Sequence, residues 1–277
     1  MQNAANMFIL NLSIADLLFL ARLPILVTQE ITSHWPFGLL ACKAYRSLML
    51  SANTASCFLI TLISFERYFA VCKPFKVTKL RDKKIASVCC LLIWIVSFLF
   101  RIPSLIYSKS ISYTNHSTNE TWTKCRTDWP KSIRLATFFV NVSIGYFIPC
   151  LIVIFLYVLI VIRLAIYERF NSTLSFHTAW SDNFKKVTKV SLTIITCYII
   201  CWTPYWIIKC VSVFMPKGAD VFTSLNLTLK ICLIFLFLQS AINPLLYIML
   251  GFNFKVCLKL LFSRRNSVQT SSLQNRY

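Results

Sequence analysis

Six long, nearly uncharged stretches restrict what this chain can fold into more than any other feature of its sequence. They cover about 4–28, 39–72, 84–107, 134–166, 187–214 and 222–249. An α-helix needs about 20 predominantly apolar residues to cross a bilayer, and each stretch is long enough. Charged residues make up only 14% of the chain, against about 25% in soluble domains. The pattern predicts an all-α membrane protein with six transmembrane helices.

Basic residues are concentrated in alternate connections between these stretches. The connections near 73–83 and 167–186 are strongly basic, as is the segment after the last stretch. Such clusters mark the cytoplasmic side. The connections near 29–38, 108–133 and 215–221 are therefore expected outside, and both chain ends inside. The net charge of +20 then favours lipid headgroups or an acidic protein face as partners, and not nucleic acid.

The sequence is expected to form one transmembrane domain over 1–262. Within it, residues 251–262 alternate apolar and basic positions at helical spacing, which predicts a short amphipathic helix on the membrane surface. Residues 263–277 are polar and are predicted to be disordered.

An aspartate stands in the middle of the first apolar stretch. A carboxylate such as Asp16 at the bilayer centre costs about 2.5–3.5 kcal/mol on insertion scales, so it needs partners. Ser56, Ser240 and Asn243 lie mid-stretch in other predicted helices and are candidate neighbours. The four residues predict either a sodium or proton site, or only interhelical hydrogen bonds around Asp16.

An acid–base pair closes the second stretch. Glu66 and Arg67 can neutralise each other while the guanidinium of Arg67 stays able to take another partner. The simpler interpretation is an arginine that extends to the membrane surface. Pro149, Pro204 and Pro244 each interrupt an apolar stretch and predict kinks, which serve as hinges or only as packing features.

Of the twelve cysteines, Cys42 and Cys125 are in segments expected to meet an oxidising compartment. A disulfide between them would hold the long outer connection over the helices. The other cysteines lie mostly in the apolar stretches, where they act as small apolar side chains.

The motifs of this chain, taken in order, resemble those of the rhodopsin-like family of G-protein-coupled receptors. They are Asn11-Leu-Ser-Ile-Ala-Asp16, Trp35-Pro36-Phe37-Gly38, Cys42, Glu66-Arg67-Tyr68, Trp94, Pro149 with Tyr157, Cys201-Trp202-Thr203-Pro204 and Asn243-Pro244-Leu-Leu-Tyr247. The resemblance covers about 3–262 and implies the second to seventh helices of that family. The first helix is then expected to be absent from this chain, which should signal poorly without it. Gln239 departs from the asparagine that is common in the family.

The resemblance implies a receptor and not an enzyme. An extracellular ligand would favour one arrangement of the helices, and a heterotrimeric G protein would bind the opposite side. Arrestin and kinases would act on the C-terminal tail, and the protein would lie in the plasma membrane with its C-terminus in the cytoplasm. Apart from the sodium ion, no cofactor is expected. The implied switch residues are Asp16, Glu66, Arg67, Tyr157, Pro204, Asn243, Pro244 and Tyr247.

The same resemblance narrows the ligand. Met49 stands where amine receptors of the family carry an aspartate, so a biogenic amine is disfavoured. The outer segments resemble those of peptide receptors of the somatostatin, opioid and chemokine groups. The basic groups expected at the ligand suit a carboxylate or an aromatic ring, or they extend to water and headgroups. The expected ligand-binding residues are Arg46, Met49, Trp202, Tyr205, Lys209 and Lys230.

Two alternatives remain at this stage. One is a receptor of the same fold for a non-peptide ligand. The other, from a different class, is a six-span transporter or a channel subunit. No proline of this sequence is followed two residues later by an acid, as the repeats of mitochondrial carriers require, and no pore-loop filter is evident.

We predict that Asn115 and Asn119 carry N-linked glycans, because both head Asn-x-Ser/Thr sequons in the longest outer connection. Replacing both by glutamine should abolish the gel shift produced by glycosidase treatment. Asn171→Gln is the matched control, because its sequon lies in a connection expected inside. A glycan mapped to Asn171 would reverse the predicted topology.

Overall fold

The computed structural model of the protein describes residues 4–73, 82–114, 121–171, 179–215 and 220–250. Within these ranges six helical segments are long and apolar enough to cross a membrane, as predicted. The amphipathic helix expected at 251–262 and the tail at 263–277 lie outside the described residues. The six candidate spans are Ala4–Thr32, Gly38–Cys72, Lys83–Tyr107, Ser132–Tyr167, Ser191–Phe214 and Ser224–Pro244.

The described elements are nine helices, one π-helical turn and two short strands. In chain order they are α1 (Ala4–Leu20), α2 (Arg22–Thr32), α3 (Gly38–Cys72), α4 (Lys83–Leu99), α5 (Ile102–Tyr107), β1 (Ser108–Thr114), β2 (Thr121–Thr127), α6 (Lys131–Val142), the π-turn (Ser143–Phe147), α7 (Ile148–Asn171), α8 (Ala179–Phe214) and α9 (Asp220–Leu250).

Prolines explain where two of the spans are divided into separate helices. The first span changes from α1 to α2 at Ala21, and Pro24 lies in the first turn of α2. The third span changes from α4 to α5 near Arg101, and Pro103 lies at the start of α5. A proline is tolerated in the first turn because the amide hydrogen that it lacks would have no partner there. Each break therefore keeps the remaining backbone hydrogen bonds.

The helix α3 is the centre of the bundle. It packs against α1, α4, α5, α7 and α8, and it carries the largest buried share of the six spans. Its side chains therefore face several neighbours at once, and most of the interhelical contacts of the candidate site begin or end on it.

Two helices extend further than the apolar stretches predicted. The helix α7 continues to Asn171 and α8 begins at Ala179, so much of the connection expected at 167–186 is helical. Helical backbone bonds do not require apolar side chains, and lysine, arginine and glutamate are good helix formers. The apolar pattern therefore marks where the chain leaves the membrane, and not where each helix ends.

The long connection predicted as an outer loop contains a β-hairpin. Strands β1 and β2 pair antiparallel, with Ser110 opposite Cys125. The sequence analysis did not predict this hairpin, because both strands are largely polar and carry few apolar side chains. The disulfide predicted between Cys42 and Cys125 is present and attaches β2 to the start of α3. We call this end of the bundle the hairpin end.

A second attachment fixes the same strand. The backbone amide of Trp35 donates to the carbonyl of Thr123 at 2.8 Å, and the Thr123 hydroxyl donates to the carbonyl of Trp35 at 2.6 Å. Trp35 is itself buried against Tyr45 of α3, with ring centroids 5.5 Å apart. The hairpin is thus held over the bundle by one covalent and several polar contacts.

We predict that replacing Cys42 and Cys125 together by alanine loosens the hairpin while the helices stay folded. The free energy of local opening over 121–127 should fall by about 2–4 kcal/mol, the usual contribution of a disulfide. Hydrogen exchange measures this directly for β2 and for α3. The matched control replaces the free cysteines Cys210 and Cys232. Unchanged exchange in β2 would show that the polar contacts alone hold the hairpin.

Candidate functional site

Arg46 lies at the hairpin end, one helical turn after Cys42 on α3, so both residues face the same side of that helix. Its charged and phenolic neighbours come from four elements. They are Arg22 of α2, Tyr45 of α3, Arg126 of β2 and Tyr205 of α8. The Nε of Arg46 is shielded from solvent and has no hydrogen-bond acceptor among the described residues. The structure thus brings Arg46 and Tyr205 together, as expected for two of the proposed ligand-binding residues.

Arg22 is held in place by Tyr45. Its Nε donates to the Tyr45 hydroxyl at 3.0 Å, and its guanidinium carbon lies 5.3 Å from the centre of the same ring. Sequence reasoning did not select Arg22, although an arginine inside an apolar stretch could have indicated it.

The two lysines of the expected ligand set have different surroundings from Arg46. Lys209 is partly buried on α8, one turn beyond Tyr205. Lys230 is exposed at the edge of the bundle and forms an ion pair with Glu30, which connects α9 to α2. The side chain of Met49 lies outside the described part of the structure.

Trp202 of α8 is buried beneath this end of the bundle and contacts α1 and α9 as well as its own helix. Its ring lies 5.8 Å from that of Phe19 on α1 and 6.1 Å from that of Tyr205 one turn away on α8. Its Nε1 donates to Oε1 of Gln239 on α9 at 3.3 Å. The residue that departs from the family pattern is therefore the hydrogen-bond partner of this tryptophan.

Asp16 of α1 contacts the same helix, α9, one turn further along. The amide nitrogen of Asn243, one turn after Gln239 on α9, donates to the Asp16 carboxylate at 3.0 Å. Ser240 lies beside the same carboxylate. Ser56 is buried on α3 but forms no hydrogen bond with Asp16 in the described structure. Two of the three predicted neighbours of Asp16 are therefore beside it.

At the opposite end of the bundle, Glu66 and Arg67 form an ion pair. The Nε of Arg67 lies 3.0 Å from Oε2 of Glu66, although the two groups are not aligned as a hydrogen bond. Both side chains are largely shielded, and the hydroxyl of Tyr157 on α7 lies near them. The backbone of Tyr247 is helical, but its side chain is outside the described part. We call this the Arg67 end.

The three prolines that predicted kinks all lie in helices, and of these three Pro149 borders an interruption of α-helical geometry in the described structure. Pro204 and Pro244 are within α8 and α9. Pro149 follows the π-turn Ser143–Phe147. In that turn the Tyr146 hydroxyl lies 2.7 Å from the Thr203 hydroxyl, next to Pro204. Such turns are frequent at functional sites, and this one joins α7 to α8 beside the buried tryptophan.

Arg101 is a buried cation that sequence reasoning missed. It lies in the break between α4 and α5, and its Nε and Nη2 donate to the Thr54 hydroxyl at 3.2 and 2.7 Å. Its Nη1 donates to the side-chain oxygen of Asn141 at 2.8 Å. Its position could have indicated a functional or structural role, because Arg101 is a charged residue within an apolar span.

Comparison with known proteins agrees with the resemblance drawn from the motifs. The sequence profile described as "7 transmembrane receptor (rhodopsin family)" matches residues 1–247. Somatostatin receptor type 1 of Rattus norvegicus is 28% identical over 92% of this chain and 62% of its own length. Somatostatin receptor type 5 of the same species is 30% identical over 92% of the chain and 68% of its own length.

A third relative, named for a different ligand, has a similar sequence identity to this chain. C5a anaphylatoxin chemotactic receptor 1 of Rattus norvegicus is 29% identical over 88% of the chain and 66% of its own length. The chain thus spans about three fifths to two thirds of the length of these relatives. The matched profile is one of receptors, in agreement with the expectation that the chain is not an enzyme.

We predict that Thr54→Val destabilises the protein by about 1.5–3 kcal/mol, because the substitution removes one of the two oxygens that accept from the buried guanidinium of Arg101. Thr61→Val is the matched control on the same helix, since the Thr61 hydroxyl bonds only its own helix at the carbonyl of Cys57. Thermal unfolding in lipid nanodiscs compares the two variants. Equal melting temperatures would contradict the structural importance of the Arg101 contacts.

Proposed function

Because the chain belongs to the rhodopsin family of seven-transmembrane receptors, we propose that it is a G-protein-coupled receptor for an extracellular peptide. The peptide is inferred from the relatives, which are named as receptors for somatostatin and for the C5a anaphylatoxin. Family membership disfavours the transporter and channel alternatives, and the whole chain is that of a multi-pass membrane protein.

One observation carries the proposal: a continuous set of buried contacts leads from the hairpin end into the middle of the bundle. Tyr205 contacts Trp202, which donates to Gln239. One turn along α9, Asn243 donates to Asp16. A ligand that contacts Tyr205 can therefore bias the arrangement of α1, α8 and α9 together, because these contacts must be rearranged as a group.

The sidedness of the bundle follows from its disulfide. A structural disulfide forms in an oxidising compartment, so the hairpin end faces the outside of the cell and the Arg67 end faces the cytoplasm. The plasma membrane is the compartment where such a receptor meets its peptide. The C-terminus then lies in the cytoplasm, where kinases and arrestin would act on the tail.

The Arg67 end is the proposed surface for the heterotrimeric G protein. In the described structure Arg67 is paired with Glu66, which suits a resting arrangement. When α8 moves away from α3, Arg67 can exchange this partner for Tyr157 or for a group of the G protein. Pro204 lies within α8 between the two ends and provides a hinge for that movement.

A sodium ion beside Asp16 is part of the proposal. The side-chain oxygen of Asn243 is buried and has no donor among the described residues, and it belongs to the same residue whose nitrogen donates to Asp16. An acceptor oxygen without a donor, next to a buried carboxylate and a serine hydroxyl, suits a small cation that prefers oxygen ligands. Asp16, Ser240 and Asn243 would hold the ion and reduce the cost of burying the carboxylate.

We predict that Glu66→Gln raises basal nucleotide exchange on the G protein, because it removes the partner that holds Arg67 at rest. The expected shift corresponds to a coupling energy of about 1–3 kcal/mol. Arg67→Ala should instead reduce exchange to background. The assay is GTP-analogue binding to purified G protein, normalised to receptor at the cell surface, and it requires no agonist.

The control is Arg163→Ala, an exposed arginine on α7. If Arg67 only anchors the helix end, both substitutions at the pair should lower surface expression without changing exchange per receptor. Unchanged basal exchange in Glu66→Gln together with normal exchange in Arg67→Ala would leave the switch without support.

A further inference from the structure

We propose that Arg22, Arg46 and Arg126, the arginine cluster, form a carboxylate-binding site at the hairpin end, so that the peptide is recognised through an anionic group. The inference rests on the proposed function in taking a peptide as the ligand. It goes beyond that function by naming the chemistry of the recognised group and two residues that the sequence did not indicate.

The fold brings these three side chains together through the disulfide. Cys125 is bonded to Cys42, and Arg126 follows Cys125 directly on β2. Arg46 lies one turn below Cys42 on α3, so the disulfide keeps the backbone at Arg126 close to the start of that helix. Arg22 reaches the same place from α2 and is fixed there by its hydrogen bond to Tyr45. Arg22 and Arg126 are both charged neighbours of Arg46.

The cluster has no counter-ion within the described residues. None of the three arginines forms an ion pair there. The two described carboxylates at the hairpin end are already paired with lysines, Glu30 with Lys230 and Asp128 with Lys109. Three like charges close together raise the energy of the ligand-free state, and an anion that binds among them relieves this repulsion.

Arg46 supplies the unpaired donor. Its Nε is shielded from water and has no acceptor in the part of the chain that the structure describes, and an unpartnered buried donor is costly. The planar guanidinium matches a carboxylate in two parallel hydrogen bonds. Since Arg22 is already oriented by Tyr45 and Arg126 is exposed at the mouth of the site, Arg46 is the expected central contact.

The surroundings favour an aromatic or apolar group next to the carboxylate. Tyr205 is a neighbour of Arg46, and its ring is 5.5 Å from that of Trp206 and 6.1 Å from that of Trp202. Arg101 is also a charged neighbour of Tyr205 from the opposite side. It adds positive potential, although its own donors are occupied by Thr54 and Asn141.

The test compares three probes of nearly equal size on the full chain in lipid nanodiscs. They are N-acetyl-leucyl-phenylalanine as the free acid, the same dipeptide as the amide, and N-acetyl-glutamyl-phenylalanine amide. The readout is the rise in melting temperature with probe concentration, which gives an apparent Kd. We expect saturable stabilisation by probes that carry a carboxylate and none by the neutral amide. If only the free acid stabilises the protein, the site recognises a terminal carboxylate. If both acidic probes stabilise it equally, the site recognises any carboxylate.

Variants locate the effect. Arg46→Gln should weaken binding of the acidic probes about tenfold or more, which is the loss expected for one charge-assisted contact. Arg46→Lys should retain part of the affinity, since it keeps the charge but not the planar fork. Arg134→Gln is the control, because it removes an exposed cation at the start of α6 that is not among the charged neighbours of Arg46. The melting temperature of each variant without probe shows that it is folded.

Equal stabilisation by the amide and the acids, or unchanged binding in a folded Arg46→Gln variant, would overturn the proposal. Nucleotide exchange driven by a short-peptide library separates this outcome from failure of the receptor function. If neutral peptides drive nucleotide exchange and the Arg46→Gln variant responds normally, the receptor function is supported and the carboxylate site is contradicted. If the acidic probes bind through Arg46 but no peptide drives exchange, even with a first helix of the family fused before residue 1, the site is supported and the receptor function is contradicted.

Discussion

The hydrocarbon interior of a membrane offers no hydrogen-bonding partner, and the arrangement of this bundle follows from that constraint. Every polar side chain inside the spans must find its partner on another helix or on its own backbone. Asp16 is bonded to Asn243, which joins α1 to α9. The Trp94 indole donates to Asn11 at 3.1 Å, which joins α4 to α1. The contacts that fix the packing are therefore also the contacts through which one helix can affect another.

The hairpin end and the Arg67 end use this constraint differently. At the Arg67 end the arginine has an adjacent carboxylate and needs no further partner in the resting state. At the hairpin end the arginine cluster has the phenols of Tyr45 and Tyr205 around it, but no carboxylate forms an ion pair with it within the described residues. Arg67 thus has a carboxylate as its counter-ion, and the arginine cluster has none within the described residues. This asymmetry is what a receptor requires if the ligand supplies the missing charge outside and the partner protein displaces an existing pair inside.

Much of the fold could be predicted from sequence, because the membrane makes the apolar pattern a direct measure of the spans. The pairing of Cys42 with Cys125 followed from their place on the less basic side, and the structure contains it. The hairpin was missed, because its strands carry few apolar residues and are held by Trp35 and by the disulfide instead. The grouping of Arg22 and Arg126 around Arg46 was missed too, since it depends on how three distant segments meet and no local pattern encodes that.

The proposed receptor function depends on one step, the movement of α8 away from α3 at the Arg67 end. A spin-label distance measurement between the exposed positions Lys73, at the end of α3, and Lys189, on α8, reports it directly. Non-natural amino acids at these positions carry the labels in nanodiscs, with and without nucleotide-free heterotrimeric G protein. The distance should become longer when the G protein is bound. A distance that stays the same while the G protein is bound would contradict the proposed switch.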